Sequence, residues 1–417
     1  MAPKLGILQD SGSHRPDDLF NGIGDAAQIV WIVLDGKDGG RVRRMLMERF
    51  GTVVDIRRDD LTAAAATLAA AGIDGIVTFR DELLPVAAEL ATRLDRRHNS
   101  VDSVAALTNK FLQRQALGAA GVAQPRFWHL DAGLAHAEIH RIAASVSYPA
   151  MVKPAHGAAS RGVRKVQSVP ELIAAYDAGS EQLAEEYMAD SAVGDDWFGS
   201  YVSVESTVSG TDISHVAVTG RFLLSDGFRE NGIFIPSALD AQTTHQVLEL
   251  ASAAIRALEV TDSCLHIEIK LTPEGPKIIE VNGRLGGGPP AVLSSVSDVN
   301  LFRVAADIAL GRPVRFAGPV ACSAIGYWWD VNPPLDAVRV LAVHGTEELA
   351  RADTVDRVDV RAPPGTELDP ASGTLGMVAV RGRTSSYAEL SETARLINRT
   401  IKIDYERLGD QAGQARG

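Results

Sequence analysis

Apolar and polar residues alternate along residues 266–271, with His266, Glu268 and Lys270 on one face of an extended strand and Ile267, Ile269 and Leu271 on the other. The segment Thr272-Pro273-Glu274-Gly275-Pro276 reads as a turn, and a second strand runs to Asn282. A turn symmetric about Glu274 sets Glu268 opposite Glu280 and His266 opposite Asn282, all on the face without aliphatics. Directly opposed Cβ atoms lie about 4.5–5.5 Å apart, where two carboxylates repel. Either the acids are solvated on a plain surface hairpin, or a cation offsets them. Mg²⁺ suits the second reading, because it takes hard oxygen ligands and fills its remaining sites with water and phosphate.

Other patterns surround this hairpin. Short apolar strands (KLGILQD, AQIVWIVLD, GTVVDI, GIDGIVTF) alternate with the alanine-rich helix LTAAAATLAAAG, which predicts a parallel α/β unit over residues 1–104. Asn109-Lys110 opens an amphipathic helix that ends near Gly121, with Pro125 as a stop. Residues 148–166 read as strand, loop, strand: an apolar run ending in Lys153-Pro154, small residues including Gly157, Ser160 and Gly162, then a β-branched run. A Walker loop would end in Gly-Lys-Ser/Thr and open a helix, and neither is here. Such a loop can still fold over phosphates with its N–H groups while Lys153 supplies a point charge; otherwise it is a glycine hairpin with a chance lysine. His156 is a further candidate in this loop. LAEEYM (183–188) is either solvated surface or a linker between lobes whose acid and free backbone groups hydrogen-bond an adenine. Beyond Gly311-Arg312-Pro313 the chain reads as a small α/β cap, its last helix opened by the capping box Ser386 to Glu389 and its Trp328-Trp329 pair as core or interface.

Composition narrows the partners. The 417 residues suggest about three domains, and 46% hydrophobic content suffices for packed cores. A net charge of -12 with no basic stripe argues against nucleic acid. Only eight of the 41 cations are lysine, yet Lys110 and Lys153 fall at the candidate phosphate positions. Cys264 and Cys322 form no framework, no stretch is apolar enough to span a bilayer, and MAPKLGILQD begins a strand instead of a signal peptide. A soluble cytoplasmic protein is expected, with a frayed DQAGQARG tail.

As an ordered set, Asn109-Lys110, Val152-Lys153-Pro154 with the glycine-rich loop, Glu185-Glu186-Tyr187-Met188, Glu268 and Glu280-Val281-Asn282-Gly283-Arg284 resemble the ATP-grasp superfamily. RLGGGPP and HIEIKLTPEGPKIIEVN are similar to its dipeptide-forming carboxylate–amine ligases, the L-amino acid ligases. The resemblance covers residues 105–315 well. It implies an α/β ATP-grasp fold: a Rossmann-like N-terminal domain (1–104), a lid with its linker helix (105–184), a core with the metal site (185–315) and a C-terminal α/β cap (316–417). It also implies roles. Lys110 and Lys153 would contact ATP phosphates under the Gly157–Ser160–Gly162 loop; Glu185, Glu186, Tyr187 and Met188 would form the adenine hinge. Glu268, Glu280 and Asn282 would hold Mg²⁺, two ions, with Mn²⁺ as a substitute, and Arg284 would stabilise the phosphorylated intermediate. Gly283 departs from the proline or serine of many relatives without altering the ligand spacing.

The implied chemistry is attack of a carboxylate on the γ-phosphate, giving an acyl phosphate and ADP, followed by displacement of phosphate by an amine. Gly286-Gly287-Gly288 would leave room beside Arg284, with Gly287 and Gly288 at the substrate. Arg229 and Glu230, on an expected loop, either read an amino acid's two charges or form a solvated turn. His215 and His266 are expected as packed residues and not bases. The partners implied are amino acids or short peptides, and homodimerisation fits such ligases. The alternatives are a carboxylase-type or purine-pathway ligase, a phosphotransferase, or an ATP-binding regulatory module without turnover.

Overall fold

A computed structural model describes residues 2–10, 14–157, 160–191, 193–369 and 373–409. Ala158 and Ala159 of the glycine-rich loop and the tail from Asp410 lie outside the described residues. At the N-terminus β1 (Lys4–Gln9), β2 (Gln28–Leu34), β3 (Thr52–Ile56) and β4 (Gly75–Thr78) form a parallel sheet in the order β3-β2-β1-β4. A parallel sheet covered on both faces needs continuous apolar runs. Accordingly Ile7, Trp31 and Val33 pack on one side, and Leu8, Val30, Ile32 and Leu34 on the other. The chain winds outward from β1 to β3 and returns to β4 on the free edge of β1, which puts the topological switch point between β1 and β4.

The next lobe is an antiparallel sheet of β5 (Phe127–Leu130), β6 (Ala150–Pro154), β7 (Arg164–Val166) and β8 (Gln182–Glu186), in the order β5-β8-β6-β7. The predicted strand–loop–strand of residues 148–166 is present as β6 and β7. The acidic run expected as a linker is not one: Leu183 to Glu186 lie in β8, paired on both edges, and a linker begins only beyond Glu186.

The core strands are β9 (Phe198–Ser209), β10 (Asp212–Phe222), β11 (Leu224–Ser225), β12 (Arg229–Glu230), β13 (Gly232–Ile235), β14 (Asp262–Thr272) and β15 (Gly275–Asn282). The last segment adds β16 (Ile325–Val331), β17 (Ala337–His344), β18 (Val355–Val360), β19 (Val378–Thr384) and β20 (Lys402–Arg407). Eight of these make one sheet, β15-β14-β9-β10-β13-β16-β19-β18. Val204, Ile267, Ile269, Ile278 and Val281 cover one face and pack against Val247, Ala251 and Ile255 of the helix Ala241–Ala257. Strands β16, β19 and β18 continue this sheet through pairs such as Gly232↔Trp329, so position 315 is not a break in it; β17 and β20 form a separate ribbon. Trp329 is buried and Trp328 half-buried. In the final helix the capping box slips by one residue: Ser386 Oγ accepts from the Glu389 N–H, but the Glu389 carboxylate takes the Ser385 N–H at 2.7 Å.

Candidate active site

The hairpin register puts Glu268 opposite Glu280 and His266 opposite Asn282, as the alternation predicts, but by another route. The turn is tighter than a symmetric one, with Thr272 paired to Gly275, and continued regularly it would bring Ile279 opposite Glu268. A bulge between the Ile269↔Ile278 and Glu268↔Glu280 pairs takes up Ile279 and returns Glu280 to the polar face.

Helix Lys110–Ala119 holds that bulge in place. Asn109 caps it, its Oδ1 accepting from the N–H groups of Phe111 and Leu112, which sets Lys110 in the first turn. Residues three and four positions apart share a helix face. Lys110 Nζ lies 2.9 Å from Glu280 Oε1 and donates to the Gly157 carbonyl at 2.8 Å. Gln113 bonds both backbone groups of Val281, each at 2.9 Å, satisfying the open edge of β15. Arg114 donates to the carbonyls of Ile278 and Ile279 at 3.3 and 2.6 Å.

On the polar face of the sheet, Glu205 of β9 is 1% exposed and accepts from His266 Nδ1 at 2.9 Å, Ser203 Oγ at 2.8 Å and Thr219 Oγ1 at 3.0 Å. Burial alone would discharge His266, but the Glu205 carboxylate outweighs it and lifts the imidazole to about 9. Its Nε2 sits 2.9 Å from Arg221 Nη2 and 3.4 Å from Glu268 Oε1, so that nitrogen carries either a lone pair for the arginine or a proton for the acid. Burial pushes the Glu268 carboxyl up, whereas His266 and Arg221 together hold it at about 2. His266 is thus packed, as expected, yet it is also the hub of a charged network; His215 is simply hydrogen-bonded between Ser206 and Ser252.

A second cluster is joined to the hairpin through Arg114. Glu185 is 4% exposed; Arg114 Nε donates to its Oε1 and Lys153 Nζ meets its Oε2, both at 2.8 Å. Against the burial that would raise it, Arg114 and Lys153 hold this carboxyl at about 2. Lys153 itself is pushed down by burial. Glu186 pairs with Arg126 at 3.3 Å, the ammonium of Lys165 sits 3.6 Å from the centre of the Tyr187 ring, and Met188 is half-buried beyond it. At the ends of the loop, Gly157 and Gly162 take positive φ angles, and so does Ser160 at 57°. His156 Nδ1 is 2.9 Å from the Thr108 carbonyl.

Arg284 is fixed from the N-terminal domain: its Nε and Nη2 donate to Asp81 Oδ2 at 2.9 and 2.6 Å, and its Nη1 to the Leu285 carbonyl. The glycines beside it are unequal. A Cβ on Gly286 would meet His266 Nδ1 at 2.7 Å and one on Gly288 would meet Ile233 at 2.7 Å, while Gly287 faces open space. Only Gly287 therefore leaves the expected room. Arg229 and Glu230 lie not on a loop but on β12, whose pleat sends them apart. Arg229 is 2% exposed and donates to the Pro333 carbonyl at 2.9 Å; Glu230 takes Arg221 Nη1 at 2.6 Å and so joins the site network.

Among the described residues no three His, Cys, Asp or Glu side chains group as metal ligands. Glu268, Glu280 and the Asn282 amide instead give two carboxylates and a neutral oxygen, a hard donor set that suits Mg²⁺ completed by water and phosphate. Residues 146–290 match the family model described as ATP-grasp domain. This is an ATP-grasp fold. The crystal structure of L-amino acid ligase from Bacillus licheniformis superposes with a TM-score of 0.77 at 20% identity, covering 97% of this chain and 99% of that one. N5-carboxyaminoimidazole ribonucleotide synthetase from Thermotoga maritima gives a TM-score of 0.70 at 14% identity, covering 97% of this chain and 100% of that one. At these identities the likeness establishes the ATP-grasp fold alone. In sequence, the uncharacterized protein y4rH of Sinorhizobium fredii is 28% identical over 58% of this chain and 49% of its own length. Carnosine synthase 1 of Gallus gallus is 31% identical over 35% of this chain and 17% of its own. The matched region thus spans about half of the first relative and less than a fifth of the second. No helix among the described residues is long and apolar enough to cross a membrane.

The sequence reading passed over Gln113, Arg114, Glu205, Arg221 and Asp81. For the first two a signal was available: Lys110, Gln113 and Arg114 fall on one face at the spacing of neighbouring helical turns. Glu205 sits within the alternating polar positions Ser203, Glu205 and Thr207 of β9, but only pairing with β14 marks it. Asp81 carries no local signal, since its partner lies 203 residues away.

Proposed function

We propose that the chain is an ATP-dependent ligase that joins the carboxylate of an amino acid to the amine of an amino acid or short peptide, releasing ADP and phosphate. The observation that carries this reading is the opposed Glu268–Glu280 pair with the Lys110 ammonium at one end and the Arg284 guanidinium just beyond. Glu268, Glu280 and Asn282 would hold Mg²⁺, which when bound neutralises charge on the transferring phosphate. Lys110 then turns from Glu280 to the phosphates, and Lys153, reaching in from β6, adds a second positive charge. The residues after Glu186 receive the adenine. A substrate carboxylate attacks the γ-phosphate in line; the acyl phosphate formed is held by Arg284, whose planar fork matches its oxygens. The amine then attacks the acyl carbon and phosphate leaves. Glu230 and the space at Gly287 favour an amino acid as the carboxylate donor, the acid facing its ammonium and the open glycine admitting its body.

The experiment is ADP and phosphate release with Mg-ATP against all pairs of proteinogenic amino acids, with mass spectrometry of products. Release that needs two amino acids and yields their condensed mass supports the ligase. Release dependent on one carboxylate and bicarbonate would make it a carboxylating ligase, and ADP with a stable phosphorylated product a phosphotransferase.

A further inference from the structure

Both chain neighbours of Lys110 are held by one carboxylate, that of Glu181, which directly precedes β8. On one side stands Asn109, whose amide is fully used. Its Oδ1 caps the helix at Phe111 and Leu112, and its Nδ2 donates to Glu181 Oε2 at 3.0 Å and lies 3.3 Å from His156 Nε2. His156 Nδ1 is 2.9 Å from the Thr108 carbonyl, which only accepts, so the proton is on Nδ1 and Nε2 offers its lone pair to Asn109. On the other side stands Phe111, its ring stacked on that of His129 with centroids 3.7 Å apart and planes at 6°. His129 Nε2 in turn donates to Glu181 Oε1 at 2.8 Å. The backbone makes a third link: the Lys110 N–H donates to the Ala155 carbonyl and the Ala155 N–H to the Glu181 carbonyl, each at 2.9 Å.

Three links converging on one residue exceed what a helix cap needs, since Asn109 Oδ1 and the Ala155 carbonyl already satisfy the first N–H groups. Nor is the carboxylate a strong source of stability. The side chains of Glu181 and His129 are 25% and 29% exposed, and an ion pair so open to solvent contributes little. What the links do is remove freedom at a place where helix ends otherwise fray. With its backbone fixed from both sides, Lys110 keeps only its side-chain torsions, and its ammonium already reaches both Glu280 and the Gly157 carbonyl. A group that must meet a reacting phosphate gains from such support, because small misplacements cost large factors.

We infer that Glu181 is a positioning residue for Lys110: through Asn109 on one side and through His129 and Phe111 on the other, it holds the lysine where its ammonium can pass from Glu280 to the phosphates of ATP. Glu181 itself touches neither nucleotide nor substrate. The inference rests on the ligase reading, in which Lys110 meets ATP, and deepens it by naming what sets that lysine in place.

The test is calorimetric titration of the full chain with Mg-ATP, which requires no knowledge of the substrates to be joined. Glu181→Leu should weaken binding about fivefold. Asn109→Asp should weaken it at least as much, since it keeps the oxygen that caps the helix but sets a second carboxylate against Glu181; a residue that served only as a cap would show no loss. Glu181→Gln, which can accept from Asn109 while its amide donates to His129, should stay within about twofold of wild type. In a Lys110→Met background Glu181→Leu should add less than about twofold, because it acts through that lysine, whereas a general structural role would multiply the two losses. Unchanged affinity in Glu181→Leu, a Gln variant as weak as the Leu one, or a loss that persists in full without the Lys110 ammonium would each overturn the positioning role and leave the ligase standing. A wild type that does not bind Mg-ATP would overturn the ligase reading, and this inference with it.

Discussion

Two acidic clusters are joined through one helix, and their carboxylates are balanced in different ways. Glu185 is sealed, 5% exposed at its side chain, with Arg114 and Lys153 both at 2.8 Å. Glu280 is 21% exposed and rests on a single lysine at 2.9 Å. A carboxylate with two buried cations has its charge balanced by the protein, and exchanging a partner there leaves an uncompensated charge in a low dielectric. One with a single, partly solvated lysine can trade it for an incoming cation at little cost. The same helix serves both: Arg114 ties β8 to the bulge of β15, while Lys110, one turn earlier, is shared between Glu280 and the Gly157 carbonyl. The sealed cluster fixes β8 against β15, and the open one fits the proposed role of Glu280 as a metal ligand.

Substitutions should separate the two. The largest effect is expected from Glu280→Gln, which should cut ADP release by at least ~10³-fold while the urea midpoint stays near wild type; a near-normal rate would remove the hairpin from the reaction. Arg114→Met should do the reverse, costing about 3–5 kcal/mol of stability because Glu185 and the Ile279 carbonyl lose their donor, as read from urea unfolding. The two lysines offer a finer contrast. Both Lys110→Met and Lys153→Met should raise the ATP requirement, each by roughly tenfold, but only Lys153→Met should also lower the unfolding midpoint; equal midpoints would erase the distinction drawn above.

The smallest effect is in pH. Glu185 is depressed from its ordinary 4.5 to about 2, so its contribution to stability is complete above the unfolded value and fades as pH falls from about 4.5 toward 2. Urea midpoints across that window should decline in the wild type and decline less in Arg114→Met.

Much of this was legible in order along the chain. The period-two alternation of residues 266–271 fixed which face of the hairpin is polar, and Asn109 marked the helix that presents Lys110. The bulge at Ile279 was not legible, because a hairpin's parity depends on one residue whose accommodation is decided by Arg114 and Gln113 from outside the strand. Residues 183–186 misled as a linker for a similar reason: a short acidic run reads as surface, and its burial in β8 follows from cations brought to it by a helix and by β6.

What the sequence by itself determined is local: strands, turns, caps and the alternation that segregates apolar from acidic side chains, all governed by residues a few positions apart. Tertiary structure alone decided which charges are neutralised and which are left over, because that depends on partners such as Asp81 and Arg284, or Glu205 and His266, separated by 203 and 61 positions. Coulombic and hydrogen-bond energies act over a few ångströms of space, and the chain carries no record of that distance until it has folded.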